Sequence, residues 1–142
     1  MANIVEVRGM SDEKLREKIE NAREELFNLR FQKAFAQLDN HARLKKVRRE
    51  IGQLESVLKM RMLAVETAAA EPAIAEVLAD KNWQANAHFD YPDSAWKVVF
   101  NNDNGDELAT ALVDLNKRRP QSRADRKVKR QPQLVTSFEI VE

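Results

Sequence analysis

Between residues 15 and 29 the apolar positions Leu15, Ile19, Ala22, Leu26 and Leu29 recur in steps of four and three. That period keeps one stripe on one side of an α-helix, ready to be buried against another helix. Ser11 precedes it, with a hydroxyl able to accept an orphan backbone N–H, while Asp12 and Glu13 suit the positive end of the helix dipole and Met10 can staple onto Leu15. Lys14 stands where a capping box would have Glu or Gln, so the reciprocal half of that motif is missing. The period breaks at Leu38-Asp39-Asn40, where Asp39 or Asn40 can cap a second helix, and restarts as Leu44, Val47, Ile51, Leu54, Leu58, Met62 and Val65. A connection this short returns the second helix antiparallel along the first, which predicts a hairpin of roughly 25 residues per arm, about 37 Å long. Two layers bury little, so marginal stability away from a partner is expected.

Helix one carries a second apolar stripe, Phe27, Phe31, Ala34, Phe35 and Leu38, well round from the first. Two apolar faces require two partners. Either the stripe packs on the C-terminal region of the same chain or it docks another macromolecule, since exposed aromatic patches rarely stay uncovered.

The pattern changes after residue 67. Ala68-Ala69-Ala70-Glu71-Pro72 reads as a hinge, because Pro disrupts a helix interior. Residues 73–80 suit a short helix, 96–100 a strand, 101–105 a turn, 107–116 a helix and 134–141 a strand. Its core would rest on Trp83, Phe89, Trp96, Phe100, Leu108, Leu112, Leu115 and Phe138. The expected fold class is mainly α: an N-terminal antiparallel two-helix hairpin (1–67) plus a C-terminal extension (68–142). The extension comprises the hinge, an acidic α+β segment (73–116), a flexible basic arm (117–130) and a short terminal strand (134–141).

Composition sharpens this division. Of 142 residues, 43% are hydrophobic and 33% charged, which points to a modest core with an appendage. The net charge of +1 conceals three blocks. Residues 1–67 hold 14 basic and 11 acidic side chains, residues 71–114 two basic and nine acidic, and residues 117–130 eight basic and one acidic. Within the first block, residues 28–49 concentrate Arg30, Lys33, Arg43, Lys45, Lys46, Arg48 and Arg49 against Asp39 alone, a net +6. On a helical wheel Lys45, Lys46 and Arg49 lie opposite the seam, with Arg43 and Arg48 on its flanks. A rigidly displayed cationic patch binds phosphates by charge and counterion release, so nucleic acid is the first candidate ligand. Gly52 and Ser56 continue the outward face, small enough for a phosphodiester backbone to approach. In the arm, Lys117, Arg118, Arg119, Arg123, Arg126, Lys127, Lys129 and Arg130 are candidate RNA-binding residues that would order against RNA; the alternative is a solvated linker.

Other chemistries find little support. The chain has no cysteine, which removes disulfides, thiolate metal sites and cysteine nucleophiles and fits a reducing cytoplasm. No apolar run approaches the roughly 20 residues of a membrane span, and no secretory leader pattern opens the chain. His41 and His88 stand in no metal-ligand or nucleophile arrangement; His41 is a phosphate contact or simply a polar helix-start residue. Asn102-Asp103-Asn104-Gly105 hints at a calcium loop, but placing Gly105 sixth puts Phe100 first and Ala111 twelfth, where acids are required. With three glycines, at 9, 52 and 105, the chain has no phosphate-cradling loop. Asp90, Asp93, Asp103 and Asp106 cluster in sequence, but acid–base catalysis needs a shaped pocket as well. The expectation is a non-enzyme without metal or cofactor.

The segments Glu25-Leu26-Phe27-Asn28-Leu29-Arg30-Phe31-Gln32, Gln37-Leu38 and Leu44-Lys45-Lys46-Val47-Arg48-Arg49-Glu50-Ile51 resemble the large-subunit ribosomal protein family numbered twenty-nine. The resemblance covers about residues 8 to 65. It implies a cytoplasmic ribosomal location and a helical hairpin bound to large-subunit rRNA near the mouth of the polypeptide exit tunnel, beside the large-subunit protein numbered twenty-three. It further implies no catalytic residues, and a surface on which nascent-chain factors assemble. Asn28, Arg30 and Gln32 fall on the family's first-helix motif, and Lys45, Arg48 and Arg49 on its second. Two departures stand out: Gly52 replaces a usual Ala, and Glu55-Ser56 replaces a basic or polar residue followed by Thr. The rival reading is a free coiled-coil interaction protein, which would be expected to mix charges on its outer face. A third role, shielding of the basic arm by the acidic block before assembly, fits the charge pattern.

Overall fold

A computed structural model describes residues 3–118, 122–127 and 133–141. The chain divides into two compact units, Met1–Lys59 and Met60–Glu142.

The first unit is helical. A short α1 (Ile4–Arg8), not anticipated from the sequence, is capped by Asn3, whose Oδ1 accepts the Val5 N–H at 3.3 Å, and it buries Val7 completely. α2 spans Asp12–Ala34 and opens as expected: Ser11 Oγ accepts the Lys14 N–H, with Asp12 and Glu13 in the first turn. Its buried residues are Leu15, Ile19, Ala22 and Leu29, four of the five apolar positions of the first stripe; Leu26 is half-buried. The helix ends at Ala36, which adopts the left-handed conformation with φ 54°. There the Ala36 N–H donates to the Lys33 carbonyl and the Gln37 N–H to the Gln32 carbonyl, a Schellman closure built on alanine where glycine is usual. Asn40, not Asp39, opens the next helix, its Oδ1 accepting the Ala42 N–H at 3.1 Å.

α3 runs from Ala42 to Ala69. Near its start it joins α2 in one apolar cluster of Ala22, Leu29, Leu44 and Val47, with Leu26, Leu38 and Ile51 against it. Leu38 thus belongs to this cluster rather than to the phenylalanine stripe. Further along, Leu54 and Val57 are buried, Leu58 is half-buried and Met62 is 55% exposed. Val57 lies roughly 100° round the helix from Leu58 and off the expected line, so its burial marks a second buried face of α3 rather than a continuation of the first stripe.

In the second unit, α3 gives way to α4 (Pro72–Leu78), with Pro72 at the first-turn position where its missing N–H costs nothing. A four-stranded antiparallel sheet follows: β1 (Trp83–Asp90), β2 (Ala95–Asn102), β3 (Glu107–Val113) and β4 (Val135–Ile140), in the order β1-β2-β3-β4. One face is apolar. Trp96, Val98 and Phe100 on β2 face the same way as their partners Val113, Ala111 and Ala109 on β3, and all six are buried. α4 packs against β3 and buries Ile74 and Leu78.

Two expectations are corrected here. Residues 107–116 do not form the expected helix: Leu108, Leu112 and Leu115 have helical spacing, but Glu107–Val113 is β3, hydrogen-bonded on both sides to β2 and to β4, and only Leu115 and Asn116 enter a 3-10 turn. Two ladders and the buried period-two set Ala109, Ala111, Val113 outweigh a local preference for helix. β1 was not anticipated: its apolar alternation Trp83, Ala85, Ala87, Phe89 is diluted by the two alanines, and its other face is polar. Of the expected core, Trp96, Phe100 and Leu108 are buried, whereas Trp83 and Phe138, both on the sheet's edge strands, are 38% and 40% exposed. At the β2–β3 turn Asn102 Oδ1 accepts the N–H groups of Asn104 and Asp106, both at 2.9 Å, and Gly105 takes φ 88°.

Part of the expected basic arm is helical. Leu115–Arg118 form a 3-10 turn and α5 spans Arg123–Lys127.

Two substitutions follow from the backbone. A Cβ at Gly52 would meet no atom within 4 Å, so Gly52→Ala should stabilise the protein by about 1 kcal/mol. Ala36→Gly should relieve the left-handed alanine by a comparable amount, about 1 kcal/mol. Urea unfolding followed by far-UV circular dichroism measures both. Phe100→Ala should destabilise the sheet by about 3–5 kcal/mol. Both tryptophans, Trp83 and Trp96, lie in that sheet, so tryptophan fluorescence reads its unfolding separately from the helices.

Candidate nucleic-acid interface

The seam that buries Leu44 and Val47 sets the direction of every other side chain at the start of α3. With those two turned inward, Lys45, Lys46, Arg48 and Arg49 are left outward, and all four are exposed. On α2, burial of Leu29 leaves Asn28, Arg30, Gln32 and Lys33 exposed in the same way. Arg43 is exposed too, so all nine candidate residues of the helical region reach solvent.

They are not equally free. Arg43 is paired with Glu25 of α2, and Glu55 of α3 with Arg23 of α2. The acid that interrupts the outer face of α3 is therefore engaged by a cation of the neighbouring helix. Lys45, Lys46, Arg48, Arg49, Arg30 and Lys33 have no carboxylate partner among the described residues. The outcome is a cluster of uncompensated cations around the α2–α3 connection, the electrostatic form of a phosphate-binding surface. Lys59, exposed and three residues beyond Ser56, extends the outward line of Lys45, Arg49, Gly52 and Ser56. Its helical spacing is the signal for it in the sequence, masked there because Glu55 interrupts the basic run.

In the second unit Lys117, Arg123, Arg126 and Lys127 are exposed. Arg118 ends the 3-10 turn, and Arg119, Lys129 and Arg130 lie outside the described residues. The four aspartates that cluster in sequence are not gathered into one site. Asp90 and Asp93 line a groove of about 270 Å³ on the sheet's polar face, together with Lys97, Thr110, Ser137 and Glu139; Asp103 and Asp106 do not. Among the described residues no group of three His, Asp or Glu side chains is placed to hold a metal ion. Nor, among them, is any helix long and apolar enough to cross a membrane.

The residue pattern of the Ribosomal L29 protein family matches residues 5–61, the stretch that forms α1, α2 and most of α3. The large ribosomal subunit protein uL29 of Streptomyces griseus is 50% identical over 62 residues, covering 44% of this chain and 84% of that protein. The chain belongs to the L29 family. The uL29 of Thermobifida fusca is 52% identical over 66 residues, 46% of this chain and 78% of its own length. That of Mycobacterium tuberculosis is 48% identical over 62 residues, 44% and 80% respectively. Relative to these L29 proteins the chain is longer, and the sheet with α5 lies beyond the family match as a C-terminal extension.

The two ion pairs between α2 and α3 join side chains that are 35% to 58% exposed. Solvent screens such pairs, so Glu55→Gln should shift stability by less than about 1 kcal/mol, read from the urea midpoint.

Proposed function

We propose that this L29-family chain, a structural constituent of the large ribosomal subunit in the cytoplasmic ribosome, is anchored by its paired helices α2 and α3 to large-subunit rRNA. The observation that carries the reading is the set of exposed cations at the start of α3, Lys45, Lys46, Arg48 and Arg49, with no carboxylate partner among the described residues. Folding does not use these charges, and a polyanion does. Asn28 and Gln32 add amide donors and acceptors beside Arg30, suited to sugar, phosphate and base edges. The role is architectural: the side chains neutralise and position phosphates, and no step of covalent chemistry is asked of them.

On this reading the helix pair sits near the mouth of the polypeptide exit tunnel, beside the large-subunit protein numbered twenty-three, where nascent-chain factors gather. The extension supplies a second basic contact through Lys117, Arg123, Arg126 and Lys127, following an acidic sheet. The rival, a free coiled-coil protein, is disfavoured by the charge distribution. Its outer face would carry mixed signs, whereas the outward residues 45, 46, 48 and 49 are all basic.

Sedimentation of the tagged full-length chain from a cell lysate on a sucrose gradient tests the assignment. Co-migration with large subunits through a high-salt wash is expected; protein that remains with small soluble species would overturn it. In direct binding to an rRNA fragment, the triple variant Lys45→Ala, Lys46→Ala, Arg49→Ala should lower the slope of log affinity against log salt by about 2 to 3, roughly one for each phosphate no longer neutralised.

A further inference from the structure

The cationic surface does not account for the phenylalanines of α2. Phe27, Phe31 and Phe35 are 67%, 56% and 60% exposed, although the same helix buries its other apolar stripe almost completely. The rings of Phe31 and Phe35 lie 4.7 Å apart at an interplanar angle of 51°. Each phenylalanine follows the last by four residues, so the row drifts by only roughly 40° per step around the helix. An exposed aromatic row is costly in water and marks a docking surface.

The polar neighbours of the row identify its occupant. Arg30 borders one side, a roughly 60° turn from Phe27, and Asn28 borders the other. Both are exposed, and Arg30 has no carboxylate partner among the described residues. The acids of the same face, Glu20 and Glu24, lie toward the N-terminal end. The row therefore faces outward only where α2 is basic, within one unit with the cations of α3. A protein helix would ask for aliphatic neighbours or complementary acids. Aromatic rings between a guanidinium and an amide instead offer π-faces for bases and donors for the backbone that carries them, the combination by which proteins hold unpaired nucleotides.

We propose that Phe31 and Phe35, with Phe27 at the edge, form a stacking platform for unpaired bases of RNA, so that the helix pair reads looped rather than fully paired RNA. The platform rests on the rRNA-binding reading: the cations supply affinity for phosphates in any RNA, and the rings supply preference for exposed bases. Leucine keeps the apolar volume and helix propensity at these positions while removing the π-face.

The test compares the full-length chain with the double variant Phe31→Leu, Phe35→Leu on two probes. One is an RNA stem closed by an unpaired purine-rich loop; the other is a fully paired RNA duplex with the same number of phosphates. The wild-type chain should prefer the looped probe. The variant should lose about tenfold in affinity for the loop, keep its affinity for the duplex, and keep the same salt slope. Phe31→Trp should retain the preference. Equal binding of both probes by wild type and variant alike would overturn the platform and assign the row to a protein partner, while leaving the phosphate-binding reading intact. An equal loss on both probes would give the rings a merely structural role and also overturn it. If the wild-type chain binds neither probe, the rRNA reading itself fails and the platform with it.

Discussion

The contact on which the interface depends is the small apolar cluster of Ala22, Leu29, Leu44 and Val47, closed by Leu26, Leu38 and Ile51. Burial of these side chains is what fixes the rotation of α2 and α3 about their own axes. Once Leu44 and Val47 are turned inward, the intervening lysines and the following arginines have no direction left but outward. Six uncompensated positive charges at one end of a two-helix unit repel each other, and the repulsion is borne by that cluster and by the cross-helix pairs Arg23–Glu55 and Glu25–Arg43. The small folded base and the crowded charge above it are thus two sides of one arrangement, which binding to phosphates would relieve.

The helical unit was legible because its information is periodic and local. Ser11 announces α2, the Asp39-Asn40 pair announces the start of α3, and four of the five positions of the first apolar stripe on α2 are buried. On α3 the departures are Met62, expected inward but exposed, and Val57, buried but not expected; the first came from extending the pattern beyond the stretch where the cluster enforces it. The outward direction of the candidate cations was legible for the same reason: side chains that fall between seam positions have their direction set by the seam. What could not be read was which cations the neighbouring helix occupies. The Glu25–Arg43 pair depends on the packing of α2 on α3, and no spacing within either helix announces it.

The extension was harder because sheets draw their stability from residues far apart in sequence. Leu108, Leu112 and Leu115 are spaced as a helix would space them, and only the presence of β2 on one side and β4 on the other makes the segment a strand. β1 signals weakly as a sequence, with alanines at its two middle inward positions between Trp83 and Phe89. Its existence follows from β2, whose Trp96, Val98 and Phe100 need neighbours on the same face. Central β2 and edge β4 were legible from their apolar and β-branched residues, whereas central β3 and edge β1 were not, so position in the sheet did not decide what the sequence revealed.

The order of the sheet also governs the sequence in which it can assemble. Each strand pairs with its neighbour in the chain, β1 with β2, β2 with β3 and β3 with β4, so its pairings span short loops except the last. β4 is separated from β3 by the basic segment that includes α5, and its closure carries the largest loop entropy of the set. A three-stranded meander, with Phe100 already flanked by Ala85 and Ala109, therefore has all it needs to form before the final residues join. Because longer loops cost more to close, the pairing of β4 is expected to follow that of the meander.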